Sequence, residues 1–196
     1  MESHTKLAKT IHWSFIVLYL YGLSKQVNEF NELEDRGLLL FEIAFATTFL
    51  IIVILRYSYM RRFKTFLGAR EPAHIVHYYF ARSLHKAMYF IFILLPISGL
   101  LIAALYTKGY QNEDELVMEA ALGLHSFAAV ASAVLILVHI GAAIYSRIKG
   151  EGVWSSMVPM LKEDKPTTNK TVKKVAAFEE GIYEKVGSWF SSKNKD

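Results

Sequence analysis

The sequence contains no cysteine. That absence excludes disulfides, thiolate-held iron–sulfur clusters and the C-x-x-C-H attachment that bonds a c-type haem covalently. Any resident metal group must therefore be held by histidine, carboxylate or methionine. The stretch "LYGLSKQ" after the first apolar run lacks the small-x-small pattern at which a leader is cut, and that run is expected to be retained as a span. No groove-reading motif accompanies the net charge of +4, which argues against nucleic acid as a partner.

What is present is apolar and unevenly spread. Hydrophobic residues make up 53% of the chain and the mean hydropathy is +0.26. They gather into four blocks at about residues 9–27, 38–57, 85–106 and 121–146. Each approaches the roughly 20 residues needed to cross a hydrocarbon core ~30 Å thick, the first least clearly. Arg56, Arg61, Arg62, Lys64, Arg70, Arg82 and Lys86 concentrate in segment 56–86, whereas the loops at 28–36 and 107–119 are mostly acidic. Positive loops stay in the cytoplasm, so both termini and the 56–86 segment are expected inside a multi-pass membrane protein.

These features predict an all-α protein: a transmembrane four-helix up-and-down bundle over residues 1–160, followed by a polar linker and tail at 161–196. In the tail, Val175, Phe178, Ile182, Val186 and Trp189 recur every three or four residues, the spacing of an amphipathic helix. That C-terminal cytoplasmic helix is expected to lie on the lipid surface or to dock another subunit.

Histidines within apolar spans carry the chemistry. An ionisable side chain inside a bilayer is costly and usually faces the bundle interior. His125 and His139 lie 14 residues apart on the fourth span. At 100° per residue they return to within about 40° of one another, about 21 Å apart along the axis. Given the alternating directions of the spans, His12 falls level with His139 near the inner side, and Glu42 level with His125 near the outer side. Two neutral imidazoles on opposite walls suit the two axial positions of a six-coordinate haem iron, and filling both favours electron transfer over oxygen chemistry. Zinc fits less well, since His12 and His139 lack companions to complete a tetrahedron.

The stretches "IHW" at 11–13, "HKAMYFIFILLPISGLL" at 85–101 and "LHSFAAVASAVLILVHIGAAIYSRIKGEGVWSSMVP" at 124–159 resemble the bacterial cytochrome b561 family, related to the cytochrome b subunits of membrane hydrogenases and formate dehydrogenases. The likeness covers about residues 5–160. It implies a cytochrome of the bacterial cytoplasmic (inner) membrane in which four helices hold b haems and electrons pass between quinone and a redox partner. It further implies that His12 and His139 ligate the inner haem. The family's second helix normally supplies a histidine as partner to that at His125, and here the slot holds Glu42. Three accounts follow: the outer haem is missing and Glu42 hydrogen-bonds His125; a haem or metal is held by a histidine and carboxylate set; or another residue ligates. A buried Glu42 beside His125 would also suit proton transfer coupled to quinone.

His85 matches a family position, implying a role near the inner haem's propionates or a quinone head group, with a plain interfacial residue as the alternative. Arg82, where the family often has another histidine, is expected either to pair with a propionate or to anchor the positive-inside loop. His74 and His77 read as loop surface, and His4 has no evident role. The functional expectation is a membrane b-type cytochrome on the quinone pool. The alternatives are a haem-bearing anchor subunit of a larger respiratory or dehydrogenase complex, and a superoxide oxidase, which the resemblance permits.

Overall fold

Two side chains mark where helices begin. Val76 N–H donates to His74 Nδ1 at 3.2 Å, and Thr171 N–H donates to Asn169 Oδ1 at 2.9 Å. Each caps an otherwise orphaned donor of a first turn. The structure is a computed structural model and describes residues 3–25, 36–63, 65–161 and 165–192. The expected acidic loop at 28–36 therefore lies almost wholly outside the described residues. Six helices run in order, α1 Lys6–Ser24, α2 Arg36–Met60, α3 Ile75–Thr107, α4 Leu116–Lys149, α5 Val153–Met157 and α6 Lys170–Ser192, and no strand occurs among the described residues.

Within α2, α3 and α4, the stretches Gly37–Met60, Ile75–Thr107 and Leu116–Lys149 are long and apolar enough to cross a membrane. Many of their large apolar side chains face outward, among them Leu40, Ile51 and Leu55 of α2 and Phe127, Val130 and Leu137 of α4. Such continuous outward apolar surface belongs against lipid rather than water. The first helix, α1, opens with Lys6 and Lys9 and is not among these three.

α3 starts ten residues earlier than the apolar run suggests. His77 is thus helical rather than loop surface, and His74 is the residue that starts the helix. At the other end of α4, Gly150 adopts φ 76°. Its N–H donates to Arg147 O at 3.0 Å, and Glu151 N–H reaches Ser146 O at 3.2 Å. These two bonds close the helix in a left-handed C-cap that favours glycine. A Cβ at Gly150 would also lie 2.7 Å from Lys165 O, so a side chain there meets both strain and a clash.

The chain divides into two compact units. The first holds residues 6–62 and 87–135, and the second holds 1–5, 63–86 and 136–196. In the first unit α1 packs along α2. Phe15 is the centre of its core, with ring centroids 4.7 Å from Phe92 and 5.3 Å from Phe49. Tyr19 and Ser132 join α1 to α4 through a 2.8 Å hydrogen bond. Because the Ser132 hydroxyl donates to Ala129 O, Tyr19 is the donor to Ser132 Oγ.

In the second unit the N-terminal residues and α5 are tied together, with His4 N–H and the Ser3 hydroxyl both donating to Ser156 O at 3.2 Å. The His4 ring meets Phe63 edge-on at 4.9 Å. Residue 4, without a role in the sequence, is therefore part of this packing. Also in this unit, the polar side of α6 is fixed to the end of α4. Glu179 Oε2 accepts from Lys149 Nζ at 2.9 Å and from the Tyr145 hydroxyl at 3.0 Å. Glu179 Oε1 accepts from Tyr183 at 2.6 Å.

Candidate functional site

In the first unit, His125 of α4 turns its Nδ1 toward α3, 3.1 Å from Leu95 O and 3.0 Å from Ser98 Oγ. The Ser98 hydroxyl itself donates to Leu95 O at 2.8 Å. With that proton committed, both neighbours of Nδ1 are acceptors, so Nδ1 carries the imidazole hydrogen. The Nε2 lone pair is left to act as a ligand or a base, the arrangement typical of a metal-binding histidine held by an outer hydrogen bond. Gly99 makes the approach feasible, since a Cβ there would lie 3.3 Å from His125 Cε1. The "PISG" of α3 thus supplies both the hydrogen-bond partner and the clearance that orient His125. The sequence displays those letters without revealing that role.

Glu42 does not pair with His125. Its Oε1 lies 2.9 Å from Lys25 Nζ, and Lys25 also sits over the Phe41 ring at 3.6 Å. A carboxylate offered a full cation gains more than it would from a neutral imidazole whose Nδ1 proton is already committed. The account in which Glu42 hydrogen-bonds His125 is corrected accordingly.

His85 and His139 lie side by side in the second unit. Their ring centroids are 5.2 Å apart, with planes at 63°. A half-buried imidazole from α3 therefore stands beside one from α4. Three residues earlier on α3, exposed Arg82 directs Nη1 to the Tyr78 hydroxyl at 3.4 Å. His12 is half-buried on α1 in the first unit, one turn before the core residue Phe15.

Two features went unrecognised in the sequence. Arg56 stands among the basic residues of segment 56–86, yet it belongs to α2 and is only 9% exposed, whereas Arg61 and Arg62 are exposed. Its position on one helical face with Phe49 and Val53, at i−7 and i−3, was the available signal. The other is the Glu179 clamp. Burial acts to raise the Glu179 carboxyl, but hydrogen bonds from Tyr183, Lys149 and Tyr145 outweigh it and hold its pKa below the usual value. Tyr183 is pushed up, first by burial and then by its bond to that carboxylate. Tyr183 also stacks on His74 and His77, at 5.6 and 5.5 Å. The two histidines read as loop surface are instead packing partners of the tail helix.

The profile of a family described as prokaryotic cytochrome b561 matches residues 3–160, about four-fifths of the chain, including all seven histidines. Neither a curated protein nor a solved structure matches the sequence.

Proposed function

The chain belongs to the prokaryotic cytochrome b561 family, and from that premise we propose that it carries single electrons between the quinone pool and a redox partner. Its seat is the bacterial cytoplasmic membrane, with α1 as a fourth span and both termini inside, as the distribution of basic loops supports. The observation that carries this reading is the family match, which includes all seven histidines.

The donor set fits a non-covalent b-type haem. Cysteine is absent. Among the described residues, no three histidine, aspartate or glutamate side chains gather as a protein-built metal cage. A porphyrin needs no such cage, because it brings four nitrogens and asks the protein for one or two axial imidazoles. In this proposal those are His12 and His139. When bound, the haem takes up and releases one electron at its iron. The protein holds the group by two neutral imidazoles and shields it with apolar walls that exclude water and help set its potential. His85 is the neighbour that orients His139, placed to meet a propionate or a quinone head group. The outer site lacks the second imidazole of a bis-histidine haem, since residue 42 is a glutamate. The proposed stoichiometry is therefore one haem per chain, with His125 a poised imidazole lacking its nitrogen partner.

A second reading, a haem-bearing anchor subunit of a larger respiratory complex, is favoured by one observation. Beyond the family match, α6 leaves Val175, Phe178, Ile182 and Trp189 between 44% and 72% exposed on one face. Removing residues 165–196 separates the readings: an unchanged solitary cytochrome supports the first, and loss of a co-purifying dehydrogenase supports the second.

The haem assignment is tested by a pyridine haemochrome ratio and the reduced α-band of purified protein. One haem per chain is expected. His139→Ala and His12→Ala should each abolish the low-spin α-band, while His85→Phe, which keeps an aromatic ring against His139, should retain it. A wild-type band in His139→Ala removes the assignment.

A further inference from the structure

Among the described residues, Arg56 is a buried cation with no carboxylate partner. It lies four residues before the end of α2, within a helix stretch apolar enough to cross a membrane, and its residue is only 9% exposed. It shares an inward face with Phe49, 4% exposed, and Val53, fully buried. Its guanidinium carbon is 4.8 Å from the Phe15 ring centroid and 5.8 Å from that of Tyr89. The Tyr89 hydroxyl is hydrogen-bonded to this guanidinium, while its Nε has no partner among the described residues. No carboxylate among them is ion-paired with it.

Aromatic faces attract a guanidinium. They offset only part of the cost of withdrawing a full charge from water, and a buried charge without a counter-ion is among the more expensive features a fold can carry. Nor does Arg56 serve as a topology anchor. Arg61 and Arg62, one turn on and exposed, occupy the place where an anchor meets the headgroups. A neutral quinone would leave the charge uncompensated. The required ligand is an anion able to accept a planar, forked donor, and a carboxylate is such a group.

The position of the guanidinium says which carboxylate. Phe15, on which Arg56 packs, is three residues after His12 on α1, so the two share a face of that helix. We propose that Arg56 is a binding residue for the haem, its guanidinium taking a propionate carboxylate of the group ligated by His12. The assignment rests on the haem reading above and goes beyond axial ligation. The cation holds the porphyrin's rim in register, and its charge favours the reduced iron.

The experiment compares wild type, Arg56→Gln and Arg56→Lys, each purified in detergent. The readouts are midpoint potential, the rate of haem transfer to a scavenger protein, and uptake of haem against its dimethyl ester, whose propionates carry no charge. Arg56→Gln should lower the potential, because a positive charge beside the ring stabilises the added electron. It should speed haem loss by about tenfold to a hundredfold, the worth of a charge-assisted hydrogen bond. Arg56→Lys should fall between. With the dimethyl ester, the advantage of wild type over Arg56→Gln should vanish. If Arg56→Gln does not fold, the ester comparison on wild type and Arg56→Lys still decides, since equal retention of haem and ester by wild type overturns the assignment. An α-band with wild-type potential in Arg56→Gln overturns it alone. A wild-type protein with no α-band overturns the haem reading and this one together.

Discussion

Ser98 of α3 and His125 of α4 are joined at 3.0 Å through an imidazole proton that Leu95 O also accepts. Ser98 is fully buried, so its hydroxyl has no water to replace a lost partner. Ser98→Ala removes an acceptor of that proton and also the donor to Leu95 O. The expected loss is about 1 kcal/mol of stability, the net value of such a bond, and no more than that because Leu95 O still accepts from Nδ1. Thermal unfolding in detergent measures it. An unchanged melting temperature would mean that Ser98 does not hold the His125 ring.

On the proposed haem reading, Glu42→His is expected to complete a second site. His125 already directs its Nδ1 into α3 and leaves Nε2 as a lone pair, whereas Glu42 is committed to Lys25. Glu42→His supplies the missing nitrogen, and the pyridine haemochrome ratio should rise from one to two. The pair lost in the process costs little, because both side chains are about a third exposed, and pairs of that kind contribute ~0–1 kcal/mol. Lys25→Ala should therefore leave both haem content and stability near wild type. A ratio that stays at one in Glu42→His would show that residues 42 and 125 do not face a common ring.

The apolar runs made α2, the body of α3 and α4 legible, because about 20 consecutive apolar residues leave few alternatives to a membrane-crossing helix. The start of α3 was hidden, since residues 75–84 mix aliphatic and aromatic residues with His77, Arg82 and Ser83, and His77 is held against Tyr183 of α6, more than 100 residues later. The five residues of α5 are too few for periodicity to show. His85 and His139 could be named from sequence, but their adjacency at 5.2 Å could not. Arg56 was read with its neighbours Arg61 and Arg62 because linear proximity outweighed the helical register that turns it inward. Glu42 and Lys25 illustrate the same limit. Their pairing depends on the end of α1 meeting α2, and no local pattern records it.

The hold of α6 on α4 should depend on pH at both ends. Glu179 has a folded pKa below its ordinary 4.5. A carboxyl depressed on folding contributes stability that is present above its unfolded pKa and lost as pH falls through the folded value. Docking of α6 is thus expected to be intact at neutral pH and to weaken as the solution is taken progressively below about 4.5. Tyr183 acts in the opposite sense. Its pKa is raised above the ordinary 10.0, so its contribution is complete below pH 10 and is lost only in stronger alkali. Amide hydrogen exchange of α6, measured on the full chain in detergent, reports the docked state directly. Glu179→Gln should remove the acid limb and leave exchange faster at neutral pH, because the neutral amide no longer attracts the Lys149 cation. If the protection factors of wild-type α6, rates corrected for the intrinsic pH dependence of amide exchange, are the same at pH 7 and well below the Glu179 transition, the clamp does not hold the tail.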